Sequence, residues 1–184
     1  MVLFLVVFCL LIALGFGIAG AVSDWRGMLI PNAYSLGIVV SFVPAWLAFA
    51  FFAEESGYFQ GWSSHLGAFA VIFAGSFVLF ALNMFGAGDS KLATAFALWV
   101  GFEGLGAFVF YMALAGGLLG IATLYLRKRK PVKNPPEGGW IARAQAGDNA
   151  VPYGIAITIG AAACFIWLGY ADPANLYALS GMAP

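Results

Sequence analysis

The chain has 184 residues, of which 63% are hydrophobic and only 9% are charged, and its formal net charge is zero. A soluble domain carries about 25% charged residues, so the composition excludes an ordinary soluble domain and indicates a protein embedded in a bilayer. The zero net charge provides no surplus of positive charge for binding nucleic acid, and we expect no such partner.

Four uncharged apolar runs are each long enough to cross a membrane as a helix. Crossing about 30 Å of hydrocarbon takes roughly 20 helical residues. The runs predict transmembrane helices over residues 2–22, 33–53, 66–85 and 151–170. The first run lacks a preceding basic region, so we interpret it as a retained helix rather than a signal peptide.

The run over residues 92–126 is too long for one transmembrane helix. Its 35 residues are interrupted only by Glu103, and as one helix they would measure roughly 52 Å. Glycines on both sides of Glu103 favour a turn there. We therefore predict a short helix over residues 90–102 and a full one over residues 105–126.

The distribution of basic residues supports six helices. With the amino terminus outside, the segments 24–32, 86–91 and 127–150 lie inside, and they contain all eight Lys and Arg residues of the chain. Positive residues favour the cytoplasmic side of a membrane. The acidic residues that this topology places outside are Glu54, Glu55, Glu103 and Asp172.

The predicted architecture is therefore an all-α integral membrane protein. A single domain over residues 1–184 forms a bundle of six transmembrane helices, with a short fourth helix and both termini outside. The cytoplasmic loop 127–150 is predicted to be a basic anchor followed by a flexible connector, because it combines four consecutive basic residues with several prolines and glycines.

Two short polar segments at the helix boundaries each contain an aspartate beside glycine and a basic residue. Asp24 follows the first helix and Asp89 begins the fourth, so both face the cytoplasm in this topology. A carboxylate at a membrane boundary is costly to retain and is a functional candidate. Two carboxyl groups can hydrolyse a peptide bond if one is ionised and takes a proton from water while the other polarises the scissile carbonyl. The alternative is that each aspartate only balances the charge of Arg26 or Lys91.

Four neighbours of the aspartates are candidates for a supporting role. Gly86 and Gly88 leave space for a substrate backbone and permit unusual backbone conformations. Pro31 suits the start of the second helix. Asn32 either caps that helix or forms a hydrogen bond near Asp24.

Three further polar residues lie near these motifs. Lys91 and Arg26 either bind the substrate or act as topology anchors, and the sequence leaves both interpretations open. Asn83 precedes the glycine segment, where it either supports the site or forms a polar contact between helices.

The remaining metal-ligating residue types form no recognisable site. Cys9 and Cys164 lie in separate apolar runs, and His65 is the only histidine. No zinc site of the usual spacing can be assembled from them. We expect no metal and no organic cofactor, and we expect His65 to be exposed on the outer side.

Taken together, the two aspartate motifs resemble those of the prepilin peptidase family. These motifs are Asp24-x-Arg26 with Ile30-Pro31-Asn32, and Gly86-x-Gly88-Asp89-x-Lys91, with a separation of 65 positions between the aspartates. The resemblance extends over nearly the whole chain and includes Pro152-Tyr153-Gly154 at the start of the last helix.

Members of that family are intramembrane aspartic proteases of bacterial cytoplasmic membranes. The resemblance implies cleavage of the basic leader from type IV pilin-like precursors at the cytoplasmic membrane face, with Asp24 and Asp89 as the catalytic pair. It also implies an inner-membrane location, in contact with lipid and with the pilus assembly machinery as a further partner.

The chain departs from the larger members of the family in one respect. Those members carry paired Cys-x-x-Cys motifs and also methylate the new amino terminus, whereas this sequence has no such pair. It is more similar to the compact peptidases of Flp/Tad-type pilus systems. We therefore expect cleavage without N-methyltransferase activity.

Two other functions are compatible with a pair of boundary carboxylates. A small transporter or proton-coupled channel could use them as a relay, but it would be expected to continue the path with polar residues in mid-helix. Here every Asp and Glu falls in a predicted boundary or loop. A membrane assembly subunit with purely structural aspartates is the third alternative.

Overall fold

The computed structural model describes residues 1–53 and 56–180, which form seven helices and no strand. Four of the helices are long and apolar enough to cross a membrane, which confirms the predicted all-α membrane class. Glu54 and Glu55, predicted to lie outside the membrane, are not among the described residues. The helices are α1 (Val2–Gly27), α2 (Asn32–Phe52), α3 (Trp62–Ala81), α4 (Ala87–Arg129), α5 (Trp140–Ala146), α6 (Tyr153–Trp167) and α7 (Pro173–Ser180).

Several predicted helix bounds were wrong, because hydropathy marks apolar residues and not the points where the backbone turns. α1 continues to Gly27, five residues beyond its predicted end, so Asp24 belongs to its last turn. α3 covers Trp62–Ala81 instead of residues 66–85, and Asn83 adopts a left-handed conformation (φ 57°) in the turn that follows. α5 and α7 were not predicted at all.

α4 is interrupted at Gly101, close to the predicted junction. This residue has φ 67° and ψ −179°, a combination that is essentially restricted to glycine. The first backbone N–H groups of the helical segment after Gly101 have no carbonyl partner within that segment. Ser64 Oγ accepts a 2.9 Å hydrogen bond from Phe102 N, and Gln60 Oε1 accepts a 3.4 Å bond from Glu103 N. The break is a single residue, so Glu103 lies in the second helical segment and not in a turn.

The second segment of α4 runs antiparallel to α6. A Cβ atom on Gly116 would lie 3.1 Å from the ring of Tyr153, at the start of α6. Earlier in the same segment, the carbonyl of Gly104 accepts a 3.3 Å hydrogen bond from Cys164 Sγ, near the end of α6. Residue numbers therefore fall along α4 as they rise along α6.

The first segment of α4 runs in the same direction as α6. Phe85, just before α4, packs against Tyr153 with ring centroids 5.4 Å apart, and Phe96 packs against Phe165 at 6.2 Å. Since the two segments have opposite directions relative to α6, the chain turns back at Gly101. The first segment is enclosed by its neighbours, with every residue from 92 to 101 buried.

The connector over residues 127–150 contains helical segments and side-chain contacts that the sequence did not predict. α4 extends through its first three residues, and α5 forms in its second half. Trp140 packs edge-to-face on Trp25 at 5.1 Å and donates a 3.0 Å hydrogen bond to Thr123 Oγ1. The side-chain amide of Gln145 bonds both backbone polar groups of Val132.

His65 is fully buried, so its predicted exposure was wrong. Its Nδ1 lies 2.8 Å from the carbonyl oxygen of Leu98, and its ring contacts Phe42 and Phe59. The prediction failed because α3 begins four residues earlier than expected, which places His65 inside the helix and against α4.

Candidate active site

Asp24 and Asp89 line the same cavity, which has a volume of about 440 Å³. Its wall is formed by the end of α1, the turn between α3 and α4, the start of α4, the α5 region and the start of α6. The cavity therefore brings together two carboxyl groups that are 65 positions apart in sequence, at the same end of the bundle. Their catalytic role stays a prediction at this point.

Asp24 is held in the last turn of α1. Its side chain is only 5% exposed, and its Oδ2 accepts a 2.8 Å hydrogen bond from the backbone N–H of Gly154. The helix ends at Gly27, and its C-cap residue Met28 adopts a left-handed conformation (φ 52°) and donates its N–H to the carbonyl of Asp24. Both the backbone and the side chain of Asp24 are therefore fixed.

Asp89 is held in the first turn of α4. Its Oδ2 accepts a 3.2 Å hydrogen bond from the backbone N–H of Gly86, the N-cap residue of the helix. This contact uses one of the N–H groups that a helix start leaves unpaired. A Cβ atom on Gly86 would lie only 2.6 Å from that oxygen, so a glycine is required here for the carboxyl group to occupy its position.

The two carboxyl groups of the cavity interact with each other, whereas the arginine in its wall has a separate partner. The carboxyl groups of Asp24 and Asp89 are close enough to interact electrostatically. Arg143 of α5 also lines the cavity, but its guanidinium binds Asp148 in an ion pair of 2.7 Å. This hydrogen-bonded pairing, together with the N–H of Ala150, lowers the pKa of Asp148 from its ordinary value.

The structure places the other predicted residues in different surroundings. Lys91 Nζ donates a 2.8 Å hydrogen bond to Asn32 Oδ1, and neither residue lines the cavity. Asn32 is the first residue of α2, and its side chain makes no cap hydrogen bond. Pro31 precedes it and occupies the N-cap position of α2. Of the two interpretations of Asn32, the helix cap was wrong, because the asparagine side chain bonds Lys91 of α4 instead.

Gly88 and Arg26 also lie outside the cavity lining. Gly88 approaches the side chain of Ile30, since a Cβ atom on it would lie 3.0 Å from Ile30 Cβ. Arg26 lines two grooves on the other side of α1, one beside α6 and one beside Trp140 of α5. Neither residue therefore lines the cavity with the two carboxyl groups.

Two cavity residues, and one residue that bonds Asp24, were undervalued or missed in the sequence. Asn83 lines the cavity from the turn before α4, as one of its two interpretations suggested. Arg143 carried no signal, because it looked like one basic residue of a flexible connector. Gly154 was noticed only within a motif, and its backbone bond to Asp24 depends on tertiary packing that no sequence pattern reveals.

Residues 1–53 and 56–180 contain no group of three or more His, Cys, Asp or Glu side chains that could hold a metal ion. The carboxyl groups that line the cavity are those of Asp24 and Asp89.

A family comparison covers most of the helices that form this cavity. The model of the type IV leader peptidase family matches residues 5–121 of the chain, a range that contains both aspartates and the glycines before Asp89. It ends before α5 and α6. No significant match was found among curated proteins or among solved structures.

Proposed function

The chain belongs to the type IV leader peptidase family, and from this premise we propose that it is an intramembrane aspartic endopeptidase with Asp24 and Asp89 as its catalytic pair. The family match confirms the resemblance drawn from the two aspartate motifs and makes the chain a peptidase. Its long apolar helices make it a multi-pass membrane protein. The observation that carries the catalytic proposal is the cavity shared by the two carboxyl groups.

The hydrogen bonds at the cavity support a paired-acid mechanism. One oxygen of each carboxyl group is held by a backbone N–H, Asp24 by Gly154 and Asp89 by Gly86. In the proposed mechanism, the other oxygen of each group faces water or the scissile carbonyl. An ionised carboxylate takes a proton from water as the water attacks, and the protonated partner donates a hydrogen bond to the carbonyl oxygen. As the tetrahedral intermediate collapses, the C–N bond breaks, and the carboxyl group that took the proton from water gives it to the departing amine.

We propose a type IV pilin-like precursor as the substrate, cleaved after its basic leader at the cytoplasmic face. Such a precursor presents an apolar helix to the bilayer and its leader to the side on which the cavity lies. The family match favours this substrate class in general. The proposal is confined to cleavage, because Cys9 and Cys164 lie in different helices and form no Cys-x-x-Cys pair.

The proposed topology has six membrane-embedded helices: α1, α2, α3, the two segments of α4, and α6. The reversal at Gly101 supports it, since it returns the basic end of α4 to the end of the bundle that holds Asp24. Residues 87–100 would extend roughly 21 Å as a helix, so this segment enters the bilayer without fully crossing it. We propose an inner-membrane location with both termini outside, the cavity facing the cytoplasm, and lipid and pilus assembly machinery as partners.

The test is co-expression with a pilin precursor, followed by intact-mass measurement of the product. We expect Asp24→Asn and Asp89→Asn each to abolish cleavage while inserting normally into the membrane. Asp172→Asn is the matched control, because this aspartate lies in the connection between α6 and α7 and does not line the cavity. Cleavage that persists in either cavity variant would contradict the proposal and favour structural aspartates.

A further inference from the structure

Ile30 occupies a fixed position in the short connection between α1 and α2. Its side chain is only 7% exposed. The turn before it is held by a 2.7 Å hydrogen bond from Ser23 Oγ to the carbonyl of Leu29. Pro31 follows, and a residue before proline is restricted to extended conformations. The connection therefore directs Ile30 into the bundle with little freedom.

The Ile30 side chain packs against three glycines from three different helices. A Cβ atom on Gly88 of α4 would lie 3.0 Å from Ile30 Cβ, and one on Gly154 of α6 would lie 3.0 Å from Ile30 Cδ1. A Cβ atom on Gly20 of α1 would lie 3.7 Å from Ile30 Cγ2. The absence of side chains at these glycines allows one isoleucine to fill the junction of α1, α4 and α6.

Two of these contacts are made with residues directly coupled to the carboxyl groups. Gly88 immediately precedes Asp89 in the chain. Gly154 donates the hydrogen bond that holds Asp24. A change in the volume of residue 30 therefore acts on the backbone beside one carboxyl group and on the hydrogen-bond donor of the other.

We propose that Ile30 is a positioning residue that sets the separation between Asp24 and Asp89. The inference rests on the proposed function, because the separation matters only if the two groups act together on one peptide bond. Functional groups must be held within about 0.5 Å of their productive geometry, and a close-packed interior transmits a change in volume to its surroundings. Ile30 makes no contact with the substrate in this role.

The first test compares kcat and KM for cleavage of a synthetic pilin precursor by the purified full chain in lipid vesicles. Ile30→Val removes the Cδ1 atom that faces Gly154, and Ile30→Ala removes everything beyond Cβ. We expect kcat to fall by about tenfold or more in Ile30→Ala and by less in Ile30→Val, since a misplacement of about 1 Å can cost 100-fold. KM should stay within about twofold, because the leader-binding surface is unchanged.

Ile38→Val and Ile38→Ala are the matched controls. Ile38 is a fully buried isoleucine of α2 that does not line the cavity. Both Ile38 variants should be less stable than the wild type, but their folded fraction should keep the wild-type kcat. If Ile30→Ala does not insert into the membrane, Ile30→Val carries the comparison, because it removes a single methyl group.

A second measurement tests the contact itself through a double-mutant cycle. Gly154→Ala adds a methyl group where Ile30→Val removes one, so the two changes should be less damaging together than the product of their separate effects on kcat. Gly160→Ala with Ile30→Val should be multiplicative, because Gly160 packs against Met112 instead.

The outcomes separate the two proposals. If the wild type does not cleave the precursor, the proposed function fails, and the inference fails with it. If the wild type cleaves and the Ile30 variants keep the kcat of the Ile38 controls, the inference alone is overturned. Multiplicative effects in both double variants would also overturn it.

Discussion

The backbone N–H of Gly154 donates a 2.8 Å hydrogen bond to the side chain of Asp24, although 130 positions separate the two residues. The start of α6 therefore holds a carboxyl group that belongs to the end of α1. The family match stops at residue 121, so this contact extends the candidate site into a part of the chain that the match does not cover.

Gly154→Ala is expected to lower kcat by roughly 10- to 100-fold, because misplaced reacting groups are costly. A Cβ atom at this position would lie 3.2 Å from Asp24 Oδ2 and 3.0 Å from Ile30 Cδ1. The measurement is single-turnover cleavage by the purified protein. Gly160→Ala, in the same helix as Gly154, is the control, since its Cβ atom would lie 2.8 Å from Met112 Cβ of α4. Equal losses of kcat in the two variants would refute a specific effect on Asp24.

Gly101→Ala is expected to destabilise the fold by about 1–3 kcal/mol, the cost of holding a non-glycine residue in this backbone region. The added Cβ atom would also lie 2.8 Å from Gln60 Oε1. Denaturant unfolding in detergent measures the change. Gly106→Ala should be neutral or stabilise by up to about 1 kcal/mol, because its Cβ atom meets nothing within 4 Å in a helix interior. A Gly101→Ala protein as stable as the wild type would show that the reversal does not require glycine.

Trp140→Phe is expected to loosen the connector between α4 and α6. The change removes the hydrogen bond to Thr123 Oγ1 while keeping most of the contact with Trp25. Losing such a bond costs about 0.5–1.5 kcal/mol, so limited proteolysis between residues 130 and 139 should become faster. The control is Trp62→Phe, at an exposed position on α3, which should leave the rate of limited proteolysis unchanged. Unchanged proteolysis in Trp140→Phe would mean that other contacts hold α5.

The Arg143–Asp148 pair is expected to make the order of the connector depend on acidity. The hydrogen bond from Arg143 and the N–H of Ala150 lower the pKa of Asp148 in the folded state. A carboxyl group with a lowered folded pKa contributes stability above its unfolded pKa of about 3.9, and this contribution is lost as the pH falls through the folded pKa.

Hydrogen exchange at the amide of Ala150 provides the measurement, because this N–H bonds Asp148 Oδ1 at 3.0 Å. Protection corrected for intrinsic exchange should stay constant from neutral pH down to about 4 and then decline. Asp148→Asn should reduce protection at neutral pH and flatten the decline. A decline of the same size in Asp148→Asn would assign the pH dependence to other groups.

The sequence anticipated the membrane class and the break in α4 for clear physical reasons. Long uncharged runs can only be accommodated in hydrocarbon, and Gly101 lies where a single helix would have exceeded the bilayer. The burial of His65 and the packing of Trp140 in the connector were missed. Both depend on partners distant in sequence, Leu98 for His65 and Trp25 for Trp140.

Some residues that lie beside the aspartates in the sequence do not line the cavity in the structure. Here too the outcome depends on partners that are distant in sequence. Lys91 and Asn32 bond each other across α4 and α2, while Arg143, from a segment that carried no motif, lines the cavity. Adjacency in the chain places two residues on the same helix, but only the angle around that helix decides which side chain reaches a cavity.

By itself, the sequence determined that this protein lies in a membrane and that Asp24 and Asp89 are its costly boundary carboxylates, because charge and hydropathy are properties of the residues themselves. Only the tertiary structure decided that the two share one cavity, that Gly154 holds Asp24, and that Ile30 fills the junction of their helices. These features depend on contacts between α1, α4 and α6, and such contacts are fixed by side-chain volume and helix direction once the bundle has formed.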